Sequence, residues 1–226
     1  MITFFLTCLF TLLYIYFGYP IVVLVLTSRA DRKVDKAPYE PMVTILISAY
    51  NEEKHIEATI RNKLSLNYPR SKLEIIVISD GSTDSTDEIV HSFEGQGVVY
   101  VRQEPRKGKT SALNLAVTRA RGEILVFSDA NSIYDNDALR YLVENFADPG
   151  VGYVTGKMVY VNPDGTTVGD GCSAYMKYEN QLRAYETGIG SIVGVDGGID
   201  AVRRDLHHPM RADQLPDFVL PLMVVE

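Results

Sequence analysis

The sequence predicts an α/β fold, with a mostly parallel sheet flanked by helices and one transmembrane helix ahead of it. Three observations carry this reading. Short runs of continuous apolar residues alternate with stretches whose apolar positions recur every three to four residues, the pattern of a parallel sheet covered on both faces. Each apolar run closes on a polar cluster, and ligands of such sheets sit outside the carboxyl ends of the strands. The first 28 residues contain no Asp, Glu, Lys or Arg.

Met1 to Ser28 is long enough to span roughly 30 Å of hydrocarbon as a helix. A secretory signal would need a basic start, a shorter apolar core and a small-residue cleavage site. The chain instead opens on Met1-Ile2-Thr3-Phe4 and carries Tyr14, Tyr16 and Tyr19. Pro20 is expected to kink or break this helix, which membrane helices tolerate. Arg29, Arg32, Lys33 and Lys36 follow at once, so the positive-inside bias places the main domain in the cytoplasm. Residues 29–41, with Pro38 and Pro41, read as a linker, and residues 42–226 as the catalytic domain.

Within that domain Val43–Ser48 is a predicted strand. Glu52–Leu66 is a helix with Ile56, Ile60 and Leu64 on one face. Leu73–Ser79 is a second strand. Thr83–Phe93 is a helix capped by Ser82 or Thr83, with Asp84, Asp87 and Glu88 at its positive end. Val98–Arg102, Glu123–Ser128 and Val151–Thr155 are further strands, and Lys109–Arg121 and Asp135–Phe146 further helices. Tyr175, Tyr178 and Glu179 fall on another helix, where packing is the expected role. Asp217 reads as the N-cap of a helix through Val219 to Val225.

The bulk numbers bound the function. The 226 residues are 46% hydrophobic and 23% charged, with a net charge of -7. That excludes a nucleic-acid partner held by broad phosphate neutralisation. Cys8 and Cys172 are far apart, and neither a CxxC nor an HExxH motif is present, so neither a disulfide nor structural zinc is expected. The dinucleotide fingerprint and the P-loop are also absent.

Four polar clusters remain, one near each of the first four strand ends: Ala49-Tyr50-Asn51-Glu52-Glu53, Asp80-Gly81-Ser82-Thr83-Asp84, Arg106-Lys107-Gly108-Lys109 and Asp129-Ala130-Asn131. Taken singly, each is a turn, a helix cap or a solvated cluster. Together they mix acidic and basic groups along one rim, as a phosphorylated ligand with a divalent cation requires.

The segments ILISAYNEEKHI (45–56), IIVISDGSTDST (75–86), RKGKTSALNLA (106–116), ILVFSDANS (124–132), VGVDGGIDAVRR (193–204) and LPDFVLPLMVVE (215–226) resemble the family 2 glycosyltransferases of the GT-A fold, in order and approximate spacing. The resemblance implies an inverting transferase that moves a sugar from a nucleotide-sugar, with a UDP-sugar expected, to a polysaccharide or lipid-linked acceptor. Tyr50 and Glu52 would line the nucleotide pocket, Asp80 would meet base or ribose, and Lys109 would lie near the diphosphate. Ser79 stands where the family often has an additional acid. Asp129 opens the family's DxD motif and, with Asn131 in place of its second acid, would hold Mg2+ or Mn2+. Asp217 would be the general base, with Pro216 in place of a preceding acid. Gly197, Gly198 and Arg203 lie in the acceptor-side segment. Many membrane-bound members continue past the point where this sequence ends, so a fragment of a longer synthase at a bacterial inner or plasma membrane is expected.

Two rivals stand beside this reading. A degenerate or truncated protein would bind nucleotide-sugar without turnover, and Pro216 and Asn131 point that way. A nucleotidyltransferase would carry a glycine-rich, basic segment after the first strand, where this chain has Tyr50-Asn51-Glu52-Glu53.

Overall fold

The computed structural model describes residues 1–30, 33–157, 170–190, 195 and 198–224. The chain divides into two compact units: Met1–Lys33 with Val159–Gly194, and Val34–Met158 with Val195–Glu226.

The first unit opens on α1 (Ile2–Leu13), a π-helical turn at Tyr14–Gly18, and α2 (Tyr19–Ala30). These run together as one apolar helix, Ile2–Ala30, long and apolar enough to cross a membrane. Pro20 does not break it. Proline lacks an N–H and crowds the carbonyl four residues back, and the helix widens into a π turn in the preceding residues. Helix α7 (Asp170–Ile189) packs on α2. The Tyr19 hydroxyl donates to Glu186 Oε1 at 2.7 Å, and that of Thr27 donates to the Tyr185 carbonyl. Gly188 permits the close approach, because a Cβ there would meet Thr27 Cγ2 at 2.4 Å. Tyr175, Tyr178 and Glu179 all lie on this helix.

The second unit is a six-stranded sheet in the order β3-β2-β1-β4-β6-β5. Strands β1 (Val43–Ala49), β2 (Leu73–Ser79), β3 (Val98–Arg102) and β4 (Ile124–Asp129) are parallel. β6 (Ile199–Arg203) runs antiparallel to both β4 and β5 (Tyr153–Thr155). The polarity of β5 and the existence of β6 are not evident from the sequence pattern.

Alternate residues of the strands feed two cores, as a period of two demands. Val43, Ile45, Ile47, Ile75, Val77 and Val126 pack under Ile56 and Ile60 of α3 (Ile56–Leu64), Val90 of α4 (Thr86–His91) and Leu139 of α6 (Ala138–Val143). Leu46, Ile76, Ile78, Leu125, Phe127 and Val202 pack under Ala112, Leu113 and Ala116 of α5 (Lys109–Val117) and Leu220 of α8 (Pro216–Met223). Each fully buried aliphatic side chain contributes about 1.5–3 kcal/mol, which makes this double-faced core the rigid base for the strand-end loops.

The helices are shorter than their sequence patterns. Glu52–His55 and Asp80–Ser85 stay non-helical because they bond to one another: Asn51 Oδ1 accepts the Thr83 N–H at 2.8 Å, the Asn51 N–H reaches Ser82 Oγ at 3.2 Å, and the Glu52 N–H reaches Thr86 Oγ1 at 2.8 Å. Ser82 and Thr83 are therefore occupied in this loop–loop contact and do not cap α4, whose N-cap is Ser85. Asn51 itself sits at φ 55°, a left-handed conformation that Asn tolerates better than most residues. Asp217 is likewise not a cap: α8 starts at Pro216 with Leu215 as N-cap, and Asp217 lies in its first turn, where the helix dipole favours a carboxylate.

Candidate active site

The parallel strands place Asp80, Asp129 and the loops after β1 and β3 at one rim. Asp129 is the last residue of β4, beside Ser48 of β1. The loop that follows it is anchored from below by α3. Thr59 Oγ1 donates to the Ala130 carbonyl at 2.6 Å, and Asn62 exchanges two bonds with the Tyr134 backbone at 2.8 and 2.9 Å. The fully buried Lys63 donates to the Ser132 carbonyl at 2.5 Å and lies 3.3 Å from the Tyr134 ring centroid. Burial pulls the Lys63 ammonium down to about 7. Asn131 is exposed between these anchors.

Asp80 is 4% exposed. Its carboxylate accepts Gln103 Nε2 at 2.6 Å and the Lys107 and Gly108 N–H groups at 2.8 Å each. It therefore organises the loop that delivers Lys109, a role that the sequence reading of Asp80 as a base or ribose contact did not contain. Gly108, at φ 92°, ends that loop, a conformation suited to glycine. Arg106 Nε lies 3.7 Å from Asp80 Oδ2, and its guanidinium lies 3.7 Å from the Tyr50 ring centroid. Tyr50, 38% exposed, thus presents an aromatic face already backed by a cation. Glu52 is half-buried in the same loop.

Lys109 is the first residue of α5, and its ammonium meets Asp129 Oδ1 at 2.7 Å. Burial alone would lower the Lys109 pKa. The hydrogen bond to Asp129 and the charges of Asp129, Asp217 and Asp200 outweigh it and raise the pKa. The charge of Asp217 reaches this cation, and α5 holds the segment ahead of it. Thr110 Oγ1 donates to the Gln214 carbonyl at 2.7 Å, and Asn114 exchanges bonds with the Met210 backbone at 2.6 and 3.0 Å, which fixes the approach to α8.

Asp200, given no chemical role in the sequence reading, also acts on Lys109 through its charge. It stands opposite Phe127 in the β4–β6 register and is 1% exposed. Thr155 Oγ1 donates to it at 2.7 Å. Burial raises its pKa to about 6; the charge of Asp217 adds to the rise, while Thr155, Tyr153 and Lys109 oppose it. The signal available in the sequence was the alternation Asp200-Val202, which puts a carboxylate on a core-facing register.

The acceptor-side residues separate. Gly198 is buried just ahead of β6, at the Asp129 end of the sheet. Gly197 lies outside the described residues. Arg203 does not join the site: it pairs with Ile124, at the opposite end of β4. There its guanidinium donates to the carbonyls of Val151, Phe146 and Asp148 at 2.7–3.1 Å, a clamp on the far rim.

Among the described residues no group of three or more His, Cys, Asp and Glu side chains is gathered to hold a metal ion. The donor set present is the Asp129 carboxylate with Asn131 two residues on. That set fits a Mg2+ or Mn2+ ion that takes one or two protein oxygens and completes its shell with phosphate oxygens and water.

The fold is shared with known proteins. The chain is similar to a mannosyltransferase from Pyrobaculum calidifontis solved with GDP-Man and Mn2+: 29% identity, 92% of this chain and 60% of that one, TM-score 0.74. It shares the fold of Staphylococcus aureus TarS 1–349 in complex with UDP-GlcNAc, at 24% identity over 54% of this chain and 35% of that one, TM-score 0.50. Among curated proteins it is 38% identical over 133 residues to a poly-beta-1,6-N-acetyl-D-glucosamine synthase of Staphylococcus aureus, which covers 58% of this chain and 31% of that protein. The chain thus spans under a third of the length of this curated relative. The profile of glycosyl transferase family 2 matches residues 44–207, from the first strand to the turn after β6. The chain belongs to glycosyl transferase family 2.

Proposed function

We propose that this glycosyltransferase moves a sugar from a nucleotide-sugar, with a UDP-sugar as the expected donor, to a growing polysaccharide or lipid-linked acceptor, inverting the anomeric centre. The observation that carries the reading is the Lys109–Asp129 ion pair at 2.7 Å, at the strand-end rim where nucleotides bind α/β sheets, with the charges of Asp217 and Asp200 also acting on Lys109. The mannosyltransferase complex and the synthase relative support a nucleotide-sugar donor and a glycan product.

In this mechanism Tyr50, backed by Arg106, offers a stacking face for the base. Glu52 borders the same pocket, and Asp80 holds the 103–108 loop so that Lys109 meets the diphosphate at the start of α5. A bound Mg2+ or Mn2+ would be held by Asp129 with Asn131 and would neutralise charge on the leaving diphosphate. Asp217, on the first turn of α8, takes the proton of the acceptor hydroxyl as it attacks the anomeric carbon. Gly198 leaves room for the acceptor at the same rim. The apolar helix Ile2–Ala30 would anchor the chain in membrane lipid, with Arg29, Arg32, Lys33 and Lys36 on the cytoplasmic side.

The test is transfer of a labelled sugar from UDP-N-acetylglucosamine by the protein and by Asp217→Asn. Transfer by the first and its loss by at least a hundredfold in the second supports the reading. Equal rates in both remove Asp217 as the base. Donor binding with no transfer in either leaves the nucleotide-sugar-binding rival in place.

A further inference from the structure

The carboxylate that would receive the divalent cation is already engaged. Asp129 Oδ1 accepts from the Lys109 ammonium at 2.7 Å, and both side chains are partly open, at 41% and 36% exposure. A metal ion and this ammonium therefore compete for the same oxygen. The charges of Asp217 and Asp200 also act on the ammonium, and Asp200 is buried and fixed by Thr155. Lys109 also stands on the first turn of α5, where the backbone N–H groups and the helix dipole attract an arriving diphosphate.

We propose that Lys109 is an internal counter-cation that holds Asp129 in the donor-free protein and releases it when a nucleoside diphosphate arrives, so that metal binding is conditional on nucleotide. The proposal rests on the donor-site reading above and adds an order to it. Before the nucleotide arrives, Asp129 is neutralised by Lys109 and has little attraction for a second cation. The diphosphate offers the ammonium new oxygens, and Asp200 and Asp217 keep it balanced as it swings. Asp129 is then free. By linkage, the factor by which nucleotide tightens metal binding equals the factor by which metal tightens nucleotide binding.

The experiment is a Mn2+ titration of the full chain in detergent, followed by the electron paramagnetic resonance signal of free Mn2+, with and without UDP. The wild-type protein binds Mn2+ weakly alone and at least tenfold more tightly with UDP. Lys109→Met binds Mn2+ without UDP about tenfold more tightly than wild type, and the UDP dependence shrinks accordingly. Lys109→Arg, which keeps the cation, behaves as wild type, and Lys109→Met/Asp129→Asn loses the gain. If Lys109→Met shows no gain while wild type still responds to UDP, the counter-cation role is overturned and the donor site stands. If wild type binds no Mn2+ with UDP or GDP, the donor-site reading fails and takes this inference with it.

Discussion

Asp200→Asn separates a buried working charge from an ordinary surface carboxylate. Asp200 is 1% exposed, and its pKa rises from 3.8 to about 6, chiefly through burial and next through Asp217. The gap is roughly two units at about 1.36 kcal/mol each, so charging Asp200 costs the folded state about 3 kcal/mol at neutral pH. The sign follows from proton counting. Between pH 3.8 and about 6 the folded protein holds the Asp200 proton more tightly than the unfolded chain, so stability from this group falls as pH rises through that window and is flat above it. Asn keeps an acceptor for the Thr155 hydroxyl but cannot ionise. The advantage of Asp200→Asn over wild type should therefore grow by about 2 kcal/mol between pH 4 and pH 7.5, whatever constant offset the amide brings. Urea denaturation of the detergent-solubilised protein at the two pH values, followed by circular dichroism, reads this directly. A difference between the two proteins that does not change with pH would refute the buried, destabilised carboxylate.

Two further substitutions probe the frame that carries the site. A Cβ at Gly122 would meet the Thr44 backbone nitrogen at 2.4 Å; Gly122→Ala should cost about 1–3 kcal/mol by overpacking, visible as a lower urea midpoint, and an unchanged midpoint would mean that the backbone where β4 begins beside β1 yields freely. Glu74 is buried and accepts Thr44 Oγ1 at 2.6 Å and Arg121 N and Nε at 2.9 and 2.7 Å. Burial opposes its charge, but these bonds win and hold its pKa below the usual carboxylate range. Its stabilisation is thus present above the unfolded pKa and lost as pH falls through the folded one, and Glu74→Gln should cost about 1–3 kcal/mol at pH 7 and less in acid. A cost that is the same in acid would contradict the charge-assisted pairing.

The strands of the parallel half were legible in the sequence because burial on both faces leaves continuous apolar runs: Leu73–Ser79 and Val98–Arg102 coincide with β2 and β3, β1 runs one residue further than read, and β4 begins and ends one residue later than read. Helix starts were less legible. Ser82, Thr83 and Glu52 have the residue types of a helix beginning, but their groups bond across two loops that are distant in sequence. Long-range pairing of this kind leaves no local pattern. The antiparallel strand β6 is short and carries Asp200 as its second residue, a residue type that composition assigns to the surface. Its alternation with Val202 points to an inward face, and the register against Phe127 places the carboxylate there. Arg203 shows the converse. Its segment belongs to the acceptor side by resemblance, yet the same register carries it to the far end of β4. Asp80 was legible as a strand-end acid, but its engagement with the Lys107 and Gly108 backbone depends on the fold of a loop from the next crossover.

The central claim is that the rim built around Asp129 and Lys109 is a metal-assisted nucleotide-sugar site. Isothermal titration of UDP-N-acetylglucosamine into the full chain in detergent, with and without Mn2+, tests it most directly. Binding should require or be strongly tightened by Mn2+, and Asp129→Ala should remove the metal dependence and weaken binding at least tenfold, about 1.4 kcal/mol. Binding that is indifferent to both Mn2+ and Asp129→Ala would contradict the account.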